Sequence, residues 1–362
     1  MMTDTLAPAL HLTPEQTELR ALVRKALGDG DAELSRVTQL LATAIGAWGL
    51  ALPERYGGAD CTLAEVAVVA GELGRALSPV PYLAGQLAAR AVLHTGDTDA
   101  HARLLPGLAQ GRTAALAWAE AGSWEPEAVA LEAVPGPDGS DWLLTGGKEH
   151  VLGADGELLL AFARTGAGLA LFELLEAPHI ELPPALDPSR PLGRCTFAAT
   201  RARLLGTPGA PAARVLARTR DEACALLAAE QVGGAERCVE LTVEYARTRV
   251  QFGRPIGSFQ AVKHRLADMY ARLESARSAA RAAAVHPERY GALAKSVCGE
   301  AYEWIAGETI QLHGGIGFTW EHPAHRYFKR AHSTGQLFGP PARHRARLLA
   351  DRLAALDTPG LR

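Results

Sequence analysis

Three arginines, Arg247, Arg249 and Arg254, bracket the turn Phe252-Gly253 in the stretch RTRVQFGRPIGSFQ, residues 247–260, directly after a long helical pattern. A guanidinium carries a rigid fork of donors that matches two phosphate oxygens at once, which an ammonium cannot do. The stretch therefore offers an anion site, although a cation at a helix C-terminus is also favoured by the macrodipole and a phenylalanine beside a turn also packs in cores. A second offer lies in ETIQLHGGIGFTWEHPAHRYFKRA, residues 308–331, where Gly314, Gly315 and Gly317 end the helix that carries Gln311. Glycines there let backbone N–H groups approach a phosphate or a ring, and equally make an ordinary C-cap. A third residue with chemical capacity is Glu230 in LLAAEQVGGAER, a carboxylate on an otherwise apolar stripe. It is either solvated or salt-bridged, or a general base with a pKa raised by burial.

Composition limits what the anion can be. A formal charge of -3 over 362 residues gives no bulk attraction to nucleic acid, so the basic run is local. With 48% hydrophobic and 21% charged residues the chain has the mixture of a globular protein, which excludes a wholly disordered one. No apolar stretch is long enough to cross a bilayer and no secretory pattern opens the chain, so a cytoplasmic protein without membrane insertion is expected. Five cysteines, Cys61, Cys195, Cys224, Cys238 and Cys298, are scattered without CxxC spacing. They point to buried thiols rather than a disulfide framework or a metal site.

These residues need elements to hold them, and the periodicity supplies three regions. Residues 1–114 are helical: Thr13 caps a helix opening on Pro14, with Leu19, Leu22, Val23 and Leu27 on one face, and Thr62 with Glu65 forms a capping box after the breaker Gly57-Gly58. Residues 115–205 turn to glycine, proline and short apolar runs, with strands expected at 158–162 and 169–172. Residues 206–362 return to helical period, with helices expected near 219–249, 258–284, 291–313 and 341–355. The fold class is α+β: an N-terminal helical bundle, a middle β-sandwich or barrel domain, and a C-terminal helical bundle. Gly233-Gly234 falls inside a helix at a cost of about 1 kcal/mol each, so either a partner helix or a ligand chain lies against the backbone there.

YARTRVQFGRPIGSFQAVKHRLADMY followed by QLHGGIGFTWEHPAHRYFKRA, after a β region and an N-terminal bundle with LPERYGGAD and ELGRALSPVPYL, resembles the acyl-CoA dehydrogenase family over nearly the whole chain. The resemblance implies an α–β–α subunit, usually in a tetramer, with FAD bound between subunits. It implies removal of the α proton and β hydride of an acyl-CoA thioester, the hydride passing to the flavin and the electrons to an electron-transferring flavoprotein. By motif match, Arg249, Gln251, Phe252, Gln311, Gly314 and Gly315 are the part of an FAD site that a subunit lends to its neighbour.

The departures from the family fall elsewhere. The turn that carries the family's catalytic glutamate falls on Leu337-Phe338-Gly339-Pro340, so Phe338 stands at the base position and Pro340 where a threonine is usual. The alternative base position on the preceding helix is Ala223; Glu222 is about 100° around that helix, and Glu230 is about 10 Å along it. The flavin-contacting TEPxxGSD segment becomes AWAEAGSWEP with Ala119 at the threonine, and WITNG becomes HVLGA with Leu152 in place of a threonine. Cys224 stands where relatives often place an arginine for CoA. The resemblance places the flavin-site losses, at Ala119, Leu152 and Pro340, in the half of that site that a subunit makes for itself. The expectation is an acyl-CoA dehydrogenase acting beside a second, acyl-CoA dehydrogenase-like subunit that brings the base. A self-sufficient homo-oligomer using Glu230, and a flavin-free structural or regulatory subunit, are the alternatives.

Overall fold

The computed structural model describes residues 11–28 and 33–356. The N-terminal helices are α1 (Pro14–Leu27), α2 (Leu34–Thr43), α3 (Leu63–Arg75), α4 (Tyr82–His94) and α5 (Thr98–Ala109). The expected caps are present: Gln16 N donates to Thr13 Oγ1 at 3.2 Å while Thr13 N donates to Gln16 Oε1 at 3.1 Å, and Thr62 N donates to Glu65 Oε2 at 2.8 Å. On α1, Val23 and Leu27 are buried as the period predicts, but Leu22 is exposed. Val23 and Leu27 lie one turn apart, and Leu22 is rotated about 100° from Val23, beyond the width of the buried stripe.

Seven strands follow: β1 (Ala114–Ala117), β2 (Glu132–Pro135), β3 (Trp142–Leu152), β4 (Leu158–Thr165), β5 (Gly168–Leu174), β6 (His179–Glu181) and β7 (Leu192–Leu205). Pairing runs β4-β2-β3-β7-β5, and β5 pairs β4 again, so the circuit closes, with β1 parallel on β4 and β6 on β7. Closure leaves few strand edges open. Two bulges interrupt the β3–β7 ladder. One inserts Ala199, with φ 54°, and reverses the alternation of buried residues along β7; the other inserts a residue into β3 at Glu149-His150, with His150 at φ 55°. Ala115, Leu131, Leu144, Phe172, Phe197 and their neighbours fill the interior.

The C-terminal helices are α6 (Ala210–Thr248), α7 (Gln260–Val285), α8 (Pro287–His313), α9 (Ala324–Gln336) and α10 (Pro341–Leu356), and a hairpin of β8 (Val250–Gln251) and β9 (Arg254–Pro255) joins α6 to the segment before α7. The sequence underestimates α6, which begins nine residues earlier than expected, and does not show α9, a short run rich in histidine and arginine whose apolar stripe is thin. By internal contacts one compact unit takes the described part of 31–66 with Pro79–Ala223, and the other takes the described parts of 1–30 and 224–362 with Ala67–Ser78. The second unit has its own core, in which Cys238, Met269, Leu273, Tyr302, Ile305 and Tyr327 pack together.

The glycine pair in α6 is explained by a partner helix. A Cβ on Gly233 would fall on the carbonyl oxygen of Gly71, one on Gly74 would fall on the carbonyl of Glu230, and one on Gly234 would meet the Tyr302 hydroxyl at 2.5 Å. Helices α3 and α6 thus cross backbone to backbone at Gly71, Gly74 and Gly233, and the local cost of glycine is offset by that close approach. Among the described residues no helix is long and apolar enough to cross a membrane.

Candidate functional site

The two motifs sit at the C-terminal ends of α6 and α8. Arg249 follows the last residue of α6; its N–H donates to Tyr245 O at 2.9 Å and its carbonyl accepts from Ile256 N at 2.8 Å, which closes the hairpin. The turn residues Phe252 and Gly253 have φ 52° and 76°, the positive values that two-residue hairpins favour. A non-glycine residue pays strain for that conformation, of order 1–2 kcal/mol. Packing recovers little of it, because Phe252 is 91% exposed and its ring meets Phe259 edge to face at 6.1 Å. Arg249 and Gln251 are exposed too, and Arg249 has no ion-pair partner among the described residues. The second motif ends α8: Gly314, φ 62°, caps the helix with its N–H on Gln311 O and Ile310 O. Space beside both Gly314 and Gly315 is open. Gly315 does not have the left-handed φ of its neighbour, so neither its backbone nor a neighbouring group requires glycine there. Side chain-free backbone facing open space is what a bound phosphate or ring needs.

Rings join the two motifs. Tyr245, one turn before Arg249, stacks on His313 at 4.5 Å, and His313 faces His322 at 4.3 Å. Arg249, Gln251, Phe252, Gln311, Gly314 and Gly315 thus belong to two helix ends in ring contact with each other.

Glu230 is not among them. It lies nineteen residues before Arg249 on α6, about 28 Å along the axis. Its Oε1 accepts from Arg330 Nη1 at 3.0 Å, and both residues are buried, 4% and 1% exposed. Sequence reasoning left a salt bridge open but gave no partner, since Arg330 is on α9. The two positions to which the resemblance assigns a base, Phe338 and Ala223, are buried apolar groups. The Phe338 turn is firmly held: Lys295 Nζ donates to Gly335 O at 2.9 Å, Gln231 Nε2 to Thr334 O at 3.2 Å and His344 Nε2 to Phe338 O at 3.0 Å. Burial pushes the Lys295 ammonium down to about 8. Glu222 is engaged with Arg90, which donates from Nε and Nη2 at 3.0 and 2.7 Å, and with His94 Nε2 at 2.8 Å. Burial acts to raise its carboxyl, but the hydrogen bonds and charges of Arg90 and His94 prevail and hold it down at about 2. Such a carboxylate is a poor proton acceptor near neutral pH.

On the barrel, the segments at 118–124 and 148–152 come together around rings. Lys148 is fully buried and pairs with Glu120, whose carboxylate also accepts from Ala130 N at 2.8 Å and Leu131 N at 3.0 Å. Burial drives the Lys148 ammonium down to about 8 despite that partner. Trp118 Nε1 donates to Trp124 O at 3.2 Å, and the two indoles meet edge to face at 5.2 Å. The bulge in β3 turns His150 so that its ring stacks on Trp124 at 6.0 Å and 24°. Ala119 and Leu152 are buried and present no side-chain donor. The tryptophan spacing in WAEAGSW was visible in the sequence; the bulge that brings His150 over was not.

An α–barrel–α chain with paired helix-end motifs defines the class: this chain belongs to the acyl-CoA dehydrogenase family, a family of FAD-dependent oxidoreductases. Residues 13–112 match the family's N-terminal domain and residues 213–353 its C-terminal domain. It is 38% identical to acyl-CoA dehydrogenase IpdE2 of Mycobacterium tuberculosis over 94% of this chain and 93% of that one. Among solved structures, the Tcur3481-Tcur3483 steroid ACAD is 31% identical over 94% of this chain and 99% of that chain, with a TM-score of 0.80. Butyryl-CoA dehydrogenase from Megasphaera elsdenii, 23% identical, shares the fold with a TM-score of 0.84 over 96% of this chain and 99% of that one.

Proposed function

We propose that this chain is one subunit of a heteromeric acyl-CoA dehydrogenase, lending half of an FAD site to an unlike partner that supplies the catalytic base. The observation that carries the reading is the ring cluster at the segments where the resemblance puts a family member's own flavin ring: Trp118 and Trp124 meet edge to face, and the exposed His150 stacks on Trp124. Ala119 and Leu152 remove the side-chain donors from the same place, so the residues present do not fit a flavin there. The lent half does fit one: Arg249 is exposed and uncommitted, and the backbone at Gly314 and Gly315 is open.

In the assembled enzyme FAD supplies the hydride acceptor for α,β-dehydrogenation of an acyl-CoA thioester, and electrons leave to an electron-transferring flavoprotein. Arg249 would hold the pyrophosphate through its fork, Gln251 and Gln311 would donate to polar edges of the cofactor, and Phe252 would cover it from water. No proton transfer falls to this chain, because Phe338 and Ala223 cannot accept one and Glu230 is committed to Arg330. The likeness to a steroid ACAD with two joined component names supports a two-chain enzyme acting on a bulky polycyclic thioester.

The test is the flavin spectrum of the chain purified alone and after co-expression with a second acyl-CoA dehydrogenase chain from its source. The expected result is flavin absorbance, bleached by acyl-CoA, only in the complex. Bleachable flavin on the chain alone would overturn the reading in favour of a homo-oligomer, and absence of flavin in both would leave a structural subunit.

A further inference from the structure

The two flavin-facing motifs are separated by sixty residues of chain, yet each is useful only at a fixed distance from the other. Three rings bridge them. Tyr245 lies on α6, and its carbonyl takes the Arg249 N–H at 2.9 Å. Its ring stacks on His313, the last residue of α8, at 4.5 Å and 27°. His313 in turn contacts His322, just before α9, at 4.3 Å and 39°. His313 is directly followed by Gly314 and Gly315, so the middle ring is anchored to the turn itself.

Hydrogen bonds define the state of both imidazoles. His313 Nδ1 lies 2.7 Å from Thr309 O, and a carbonyl only accepts, so Nδ1 carries the proton. Its Nε2 is buried with no hydrogen-bond partner. His322 Nδ1 accepts from Ala324 N at 3.2 Å, so its proton is on Nε2. Burial lowers the pKa of His313, partly countered by its bond to Thr309, and burial with the neighbouring His313 and His325 lowers that of His322. Among the described residues, the groups that bear on this ladder are Tyr245 from α6, His322 before α9 and His325 within it, with Arg326 and Lys329 acting on His325; Glu321 stands directly before His322 in the chain.

We infer that the Tyr245–His313–His322 ladder is a positioning device that sets the spacing between Arg249 and the Gln311–Gly315 turn, with His313 neutral in its working state. The inference rests on the lent-half reading and assigns residues that touch neither the substrate nor the reacting atoms. Protonating His313 would place an N–H with no acceptor inside the protein and a charge beside the His322 imidazole, so the ladder opens in acid. The turn at Gly314 then loses its tie to α6. A ring without a proton to gain, as in His313→Phe, keeps the stack and removes the acid response.

The experiment compares wild type, His313→Phe, His313→Ala and Tyr245→Leu in the flavin-bearing complex. FAD dissociation is measured from pH 8 to pH 5, together with urea unfolding of each chain. The expected result is FAD affinity within a few-fold of wild type for His313→Phe at neutral pH, with a flattened acid limb. His313→Ala and Tyr245→Leu should each lose tenfold or more while the chain remains folded. Equal affinity and equal pH profile in wild type, His313→Ala and Tyr245→Leu would overturn the inference and leave the lent half untouched. Should His313→Ala fail to fold, Tyr245→Leu breaks the ladder from its half-exposed end. On the isolated chain, nitrogen-15 imidazole NMR gives a readout without flavin: His313 is expected to stay in the neutral Nδ1–H form below pH 6.5, with the His322 signals shifting in Tyr245→Leu. A His313 that titrates like a free imidazole sinks the inference even if no complex ever takes flavin, an outcome that would sink the lent-half reading separately.

Discussion

Arg330→Met removes the positive end of the buried pair at Glu230 while conserving most of the side chain's volume. The wild-type distance is 3.0 Å with both residues nearly inaccessible. At an effective dielectric of about 20, a pair at that separation interacts by about 5 kcal/mol, and breaking buried pairs by truncating one partner costs about 3–5 kcal/mol in practice. Total stabilities are about 5–15 kcal/mol, so the single variant should lose a large fraction of its own. Glu230 has nowhere to go, because its backbone is pinned at the α3–α6 crossing by Gly74. The double variant Glu230→Leu, Arg330→Met replaces the pair by apolar groups and should return to within about 1–2 kcal/mol of wild type, since exchanging a whole buried pair is often neutral. Urea unfolding followed by circular dichroism over the four-member cycle gives the coupling energy. A single variant within about 1 kcal/mol of wild type would refute the structural assignment. Turnover of the complex reads the other side: Glu230→Gln should stay within a few-fold for the fraction that folds, whereas loss of a general base costs about 100- to 10,000-fold. Collapse of turnover in a folded, flavin-bearing Glu230→Gln complex would return the base to Glu230.

Three further outcomes follow from the same geometry. Arg249→Ala should weaken FAD binding by the complex by about 10- to 100-fold, the worth of a charge-assisted contact of about 1.5–3 kcal/mol, with the helical circular dichroism unchanged; unaltered affinity removes Arg249 from the site. Gly315→Val should leave the unfolding of the isolated chain within about 1 kcal/mol, because its Cβ meets open space, and yet abolish flavin retention in the complex; a variant that keeps its flavin shows that nothing approaches that backbone. The Glu222 carboxyl, held down at about 2 against an ordinary 4.5, is protonated more readily in the unfolded chain, so stability present above pH 4.5 is lost as pH falls towards 2, by about 3 kcal/mol in all. His94, buried with its pKa lowered, adds an earlier loss as pH falls through about 6.5, and a flat acid stability curve in wild type would contradict both.

The fold was legible because its signals are local. Thr13 with Gln16 and Thr62 with Glu65 mark helix starts by spacing alone, and the apolar runs at 158–162 and 169–172 lie within β4 and β5. The helix-end motifs were legible for the same reason, since Arg249 and Gln311 each stand beside their own turn. What escaped was set by distant partners. Glu230 alone is compatible with solvent, a salt bridge or a base, and only α9 supplies Arg330. Gly233-Gly234 alone fits a ligand or a helix, and only Gly71 and Gly74 on α3 decide it. His150 depends on a bulge created by the β3–β7 register, and a register cannot be read from one strand.

The barrel segments at 118–124 and 148–152 and the two helix ends differ in opposite physical senses. At the barrel, Trp118 and Trp124 are buried edge to face with an indole N–H satisfied by a carbonyl, and the exposed His150 lies over Trp124, so these rings contribute to the chain's own stability. At the helix ends the reverse holds. Phe252 keeps a large ring almost wholly in water in a strained conformation, and Gly315 keeps a flexible residue where alanine would fit. Neither feature helps this chain to fold, and each costs it something, of order 1 kcal/mol. Neutral drift would replace such residues first, because substitution there stabilises the subunit. Under the proposed reading their presence answers to a requirement outside the chain, because a cofactor shared with an unlike partner would constrain the helix ends and not the barrel segments.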